Sequence, residues 1–177
     1  MFTPGMNGKQ GRKPIKVKYF HYSEEYKKKG ASKFDFGVLE LEEDLEETNG
    51  YLGIDARLNN ADGVDDIEVC GYPGDKEKHT MWSAHEPYKN NTEYFLKYKM
   101  ATEVGQSGSP IIKKKENKMF IIGVHIGSNA KCTRNIAVKL TTQKRKIINE
   151  WVAEITGELN LGKLVFIEME KNWEIRE

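Results

Sequence analysis

Between Lys16 and Val138 the apolar residues of this chain come in short runs, each closed within a few residues by glycine, proline, asparagine or aspartate. Such runs, punctuated by turn formers, are the pattern of strands joined by tight loops, and they predict an all-β domain. Lys16 to Tyr22 alternates, with Val17, Tyr19 and His21 on one face. Phe34 to Leu41 reads as a strand with an acid, Asp35, near its start. Ile67 to Tyr72 is a third candidate, closed by Pro73-Gly74-Asp75-Lys76. Further strands are expected at Tyr94 to Met100, Pro110 to Ile112, Met119 to Ile126 and Arg134 to Val138. One segment has a different period: Ile147, Ile148, Trp151, Val152 and Ile155 follow the i, i+3, i+4 rule of a helix. Thr141 or Thr142 would cap its start and Gly157 would stop it.

Charge excludes some partners. Twenty-eight basic residues face 27 acidic ones, a net charge of +1, so no overall field favours nucleic acid or an anionic membrane. The apolar stretch Met119 to Ile122 is far too short to span a bilayer. Met1-Phe2-Thr3-Pro4-Gly5 has neither the basic nor the apolar region of a signal peptide. The two cysteines, Cys70 and Cys132, make no disulfide framework and are free to pair or to stay as buried thiols.

The strongest chemical signal is Gly105-Gln106-Ser107-Gly108-Ser109-Pro110. A nucleophilic serine needs a tight turn that exposes its hydroxyl and aims nearby N–H groups at one point, and glycines permit that backbone shape. Three other stretches accompany it. Phe34-Asp35-Phe36-Gly37-Val38-Leu39 sets an acid among apolar residues, where an unpaired carboxylate is costly to bury. Gly71-Tyr72-Pro73-Gly74-Asp75-Lys76 is followed by Met81-Trp82. Gly123-Val124-His125-Ile126-Gly127-Ser128 begins 18 residues after Gly105, the spacing of a hairpin beyond the serine loop. In this order the four stretches resemble the bacterial-type glutamyl endopeptidases of the chymotrypsin-like serine protease family. The likeness runs from about Phe34 to Ile155.

That resemblance implies a chymotrypsin-like double β-barrel with its first barrel incomplete, followed by a C-terminal α-helix. It divides the chain into a first-barrel remnant and connection at 1–90, a second barrel with its helix at 91–158, and a tail at 159–177. It makes Ser107 the nucleophile, Asp35 the acid that orients a histidine, and the N–H groups of Gly105 and Ser107 the oxyanion hole. Ile126, Gly127 and Ser128 would pair with an extended substrate by strand addition. Thr102 and His125 fall where the family contacts an acidic side chain before the scissile bond. A hydroxyl and an imidazole N–H both suit a carboxylate. Taken alone, His125 reads equally well as a satisfied core histidine. The expected partner is a peptide or protein substrate, with no cofactor, metal, nucleic acid or membrane. The chain is expected to be monomeric and, by resemblance, exported.

One departure is decisive for activity. The histidine of this mechanism precedes the aspartate by about 45 residues, in a Thr-Ala-Ala-His or Thr-Ala-Gly-His setting. Only 34 residues precede Asp35, and no such setting occurs among them. His21 stands in a Tyr-Phe-His-Tyr context that suits an ordinary strand position, and His79 and His85 follow the aspartate in a turn-rich stretch. Either Met1 is an internal methionine of a longer protein, or the chain is a short product that has lost catalysis. The cost of an open barrel, with unpaired edges and bare apolar faces, favours the first.

Other motifs fail on inspection. Gly5-Met6-Asn7-Gly8-Lys9 lacks the spacing of a phosphate loop. A calcium loop aligned on Gly63 would begin at Leu58 and end at Val69, neither a ligand. No histidine or cysteine set has zinc spacing. Asn90-Asn91-Thr92 is a glycosylation sequon of the kind that arises by chance.

Overall fold

Residues 1–45, 50, 52–59, 65–88, 92–129, 131 and 133–157 are described here from a computed structural model. The two edges of its main sheet are linked by a side chain rather than by strand pairing. That sheet runs β5 (Trp82–Tyr88), β4 (Asp65–Gly71), β7 (Pro110–Lys115), β8 (Lys118–Ser128), β9 (Asn135–Lys139), β6 (Phe95–Tyr98), and β3 (Gly53–Ile54) joins β8 in parallel. Glu86 of edge strand β5 accepts the Lys99 N–H, just beyond edge strand β6, on both carboxylate oxygens at 2.9 and 3.0 Å. The sheet therefore curls, and its concave face closes over Ile67, Val69, Tyr88, Leu96, Tyr98, Ile111, Ile122 and Ala137. Pro87 sits on β5, where a missing N–H costs no ladder bond on the outer side.

A second, two-stranded sheet pairs β1 (Val17–Tyr22) with β2 (Gly37–Leu41), and between them lies the short helix α1 (Glu24–Lys29). The final helix, α2 (Thr142–Thr156), is capped by the Thr141 hydroxyl on the Lys144 N–H and ends at Gly157 in the left-handed conformation. Its Trp151 packs against Phe36 and His21, with ring centroids 5.6 and 6.4 Å apart, and so fastens the small sheet to the helix. Directly opposed residues share a face, so Phe20 and Leu39 point away from His21 and Trp151. Phe20 is 67% exposed and Leu39 49%.

The strands and helix read from the pattern are present, with shifts at their ends. The largest shift concerns Asp35. Its N–H is taken by the Ser32 carbonyl at 3.1 Å, in a 3-10 turn over Ser32–Phe34. The aspartate therefore precedes β2 instead of lying within it, and it is half-buried. The expected turn-rich region around His85 contains β5, with His85 exposed on that strand. Residue 90, the expected boundary between barrels, lies between β5 and β6 of one sheet. The main sheet thus takes strands from both sides of it. The tail at 159–177 lies outside the described residues, as does Cys132.

Truncating the fully buried Leu96 to alanine is expected to lower unfolding stability by about 2–5 kcal/mol, whereas Thr141→Ala, losing one cap, costs about 1 kcal/mol. Urea denaturation of the two variants, compared at equal m-value, checks that ranking.

Candidate active site

The loop carrying Ser107 is clamped from two sides. On one side is the exit of β4. A Cβ on Gly71 would lie 2.0 Å from Ser109 Oγ, and one on Gly74 would lie 2.8 Å from the Val104 carbonyl oxygen. The second approach is onto backbone and admits no side chain, so glycine is required at Gly74, whereas at Gly71 a methyl would turn the Ser109 hydroxyl aside. The Gly74 N–H donates to that Val104 carbonyl at 2.7 Å. Gly105 repeats the logic, since its Cβ would meet the Tyr72 carbonyl oxygen at 2.8 Å, and its φ of 101° also favours glycine. On the other side stands β8: the Gly108 N–H donates to the His125 carbonyl, and the His125 N–H donates to the Ser109 carbonyl, both at 2.8 Å.

Inside the clamp the loop ties itself. Buried Gln106 accepts the Glu103 N–H on its side-chain oxygen at 2.8 Å, while its own N–H reaches the Glu103 carbonyl at 3.2 Å. The Ser109 N–H donates to the Gln106 carbonyl at 2.9 Å. The N–H groups of Gln106, Gly108 and Ser109 are thereby used. Those of Gly105 and Ser107 donate to no group among the described residues, and the exposed Ser107 hydroxyl has no partner there either. Two free N–H donors flanking a free hydroxyl on a rigid turn form an arrangement suited to a developing oxyanion. The half-buried Asp35 carboxylate likewise has no partner among the described residues.

The chain enters this loop from β6, where the Asn135 side-chain N–H holds the Met100 carbonyl at 2.6 Å and so sets the half-buried Thr102 beyond it. His125 is 3% exposed and meets the Tyr98 hydroxyl through Nδ1 at 2.5 Å. Burial holds its pKa below the ordinary imidazole value, opposed by the Ile136 backbone. Past His125 the β8–β9 register slips by one residue, with Gly127 at φ 136° opposite Ile136. Pairing of β8 with β7 stops at Val124 opposite Pro110. Among the described residues, no strand lies against that edge of β8 at Ile126 and Gly127.

The remaining histidines are placed elsewhere. His21 Nε2 lies 3.5 Å from a Glu40 oxygen under Trp151, and His79 sits in a turn at φ 66°. Among the described residues no three His, Cys, Asp or Glu side chains group as metal ligands, and no helix is long and apolar enough to cross a membrane. Cys70 is half-buried and free, its thiol pushed up to about 11 by burial, with Glu68 adding to the shift. Sequence reasoning missed the clamping work of Gly71 and Gly74, the self-tie of Gln106 and the contact between Tyr98 and His125. Only the first left a signal, as glycines spaced around a proline.

Known proteins share this architecture. A Glu endopeptidase solved in complex with MPD superposes with a TM-score of 0.75 at 28% identity, covering 85% of this chain and 70% of that one. The glutamyl endopeptidase of Bacillus licheniformis is 35% identical over 89 residues, 50% of this chain and 28% of the relative. A Bacillus subtilis protein named extracellular metalloprotease is 27% identical over 119 residues, 67% of this chain and 37% of the relative. The chain thus spans between a quarter and two-fifths of the length of these curated relatives. Fold and likeness together give the chain a chymotrypsin-like fold similar to that of the glutamyl endopeptidases. Within that fold the chain belongs to the nematode trypsin-6-like family, whose model matches residues 5–150.

Two outcomes test the site's construction. Hydrogen exchange should find the amides of Gly105 and Ser107 fast and those of Gly108, Ser109 and His125 protected, with Gly74→Ala weakening that protection as its methyl pushes back the Val104 carbonyl at the loop's base. His125 should titrate below about 6.5 in an NMR pH series. Its folded pKa is depressed, so between that value and the unfolded one the unfolded chain binds more protons. At this group stability therefore falls on acidification through that window, and a midpoint above the ordinary value would contradict the burial argument.

Proposed function

We propose that the chain is the nucleophile-bearing part of a serine endopeptidase that cuts after glutamate, with its general-base histidine contributed by residues preceding Met1. The observation that carries this reading is the free Ser107 hydroxyl between two free N–H groups, on a loop whose every other amide from Gln106 to Ser109 is tied down. Ser107 Oγ attacks the scissile carbonyl carbon while the histidine takes its proton. The N–H groups of Gly105 and Ser107 hold the oxyanion. Collapse breaks the C–N bond, the amine leaves with the proton, and water hydrolyses the acyl-enzyme. Asp35, unpartnered and half-buried, orients the absent imidazole. Ile126, Gly127 and Ser128 take the substrate backbone by strand addition, at the edge of β8 that no described strand covers at Ile126 and Gly127. His125 and Thr102 read the acidic side chain. The bare face of Phe20 and Leu39 supports further first-barrel strands, and likeness to a protein named extracellular supports export.

A second reading is favoured by the lack, among the described residues, of a hydrogen bond from any histidine ring to Ser107 or Asp35: a peptide-binding homologue that does not cleave. The nucleotide sequence upstream of the Met1 codon separates the two, since an in-frame Thr-Ala-Ala-His or Thr-Ala-Gly-His establishes the enzyme.

The 177-residue chain should show little or no proteolysis, because triad members act as a unit. Cleavage of a glutamyl substrate that Ser107→Ala abolishes would mean that a base is present within it. A crystal structure should place Ser107 Oγ within about 10 Å of the Asp35 carboxylate, the reach of one bridging imidazole. In a longer form carrying the histidine, His125→Leu should lower kcat/KM for glutamyl substrates by far more than for leucyl ones. An unchanged ratio would return His125 to a core role and leave the protease assignment standing.

A further inference from the structure

We propose that Tyr98 is a positioning residue for His125: its hydroxyl donates to Nδ1 and holds the imidazole as the tautomer whose one N–H is on Nε2, the donor for a substrate carboxylate. This deepens the assignment of His125 to the acidic cleft and depends on it.

Tyr98 lies on β6 and is fully buried, with its ring centroid 5.9 Å from that of His125 and its hydroxyl oxygen 2.5 Å from Nδ1. A phenol carries one proton, and among the described residues no acceptor other than His125 Nδ1 meets this one. Burial raises the Tyr98 pKa and lowers that of His125 against the opposing pull of the Ile136 backbone, so both groups stay neutral. With Nδ1 facing Tyr98, a substrate carboxylate takes the Nε2 hydrogen in competition with that backbone. A neutral imidazole that accepts at Nδ1 must carry its hydrogen on Nε2. Without the phenol the two tautomers would compete, and the Nδ1–H form would present a lone pair to an incoming carboxylate. The same core leaves the buried Tyr88 hydroxyl with no partner, so a buried tyrosine here does not automatically acquire one. Tyr98 also sits opposite Asn135, the residue that anchors the chain entering the serine loop, which couples the ring's orientation to the clamp.

The test uses the full chain and does not need turnover. Long-range proton–nitrogen NMR on 15N-labelled protein should show His125 with a hydrogen on Nε2 and a bare Nδ1, and Tyr98→Phe should shift it to a mixture. Two product-like peptides differing only in a C-terminal glutamate or leucine serve as probes. The parent should prefer glutamate, and Tyr98→Phe should reduce that preference by roughly tenfold, the worth of one hydrogen bond to a charged group. A ratio that survives Tyr98→Phe overturns this role alone. Equal binding of both peptides by the parent overturns the acidic cleft and this role with it. Where Tyr98→Phe fails to fold, the parent spectrum decides, because an Nδ1–H or mixed His125 overturns the inference.

Discussion

The contact on which the rest of this structure depends is backbone against backbone, between the exit of β4 and the serine loop. Gly74 and Gly105 allow backbone approaches that a single methyl group would forbid, and the Gly74 N–H is bonded across the gap. The other wall, β8, contributes its own N–H and carbonyl at His125. With both walls in place the loop has one shape, and that shape leaves Ser107 and two amides free. The geometry of this loop is a packing property of glycines before it is a property of the serine.

The large sheet serves that contact. β4 leads into Gly74, β7 continues from the loop and β8 supplies both the second wall and an open edge beyond it. Curling brings β5 close enough for Glu86 to hold Lys99 past β6, which fixes the approach to Thr102 and the loop. A flat sheet of the same strands would separate Tyr98 from His125 and the loop from its walls. The small sheet with Asp35 is attached mainly through Phe36, His21 and Trp151, a softer joint than the strand ladders of the main sheet.

Much of this was legible in the sequence because the signals were periodic. The strands Ile67–Val69 and Met119–Ile126 alternate or run apolar, and the helix ending at Ile155 repeats at its proper interval between a threonine cap and a glycine stop. What escaped lacked apolar periodicity. The α1 helix buries nothing. It is announced only by Ser23, two glutamates, three lysines and Gly30, an order matched to caps and to the helix dipole. β5 carries Pro87 and three polar residues, so it does not read as a strand until its place at an edge is known. Asp35 was read one turn too far along because Phe34 and Phe36 continue the apolar run, whereas the local Ser32 carbonyl captures its amide. At the site, residue types were visible in the sequence, but the hydrogen bonds that leave particular groups free were not.

The outward face of Phe20, Tyr22 and Leu39 has a consequence for how the chain behaves in bulk. β1 interleaves Lys18 with its aromatics and is preceded by Lys16, and Lys18 is held by Glu40 at 2.6 Å. Lysines along an exposed strand obstruct the addition of another strand. Here, though, Lys16 and Lys18 are each paired with a glutamate and the chain carries only +1 net charge, so there is little repulsion for salt to screen, while the attraction between bare aromatic faces persists. Crowding of copies through this face is therefore governed by the aromatic surface itself, and it is an added charge there, not a lower ionic strength, that would keep copies apart.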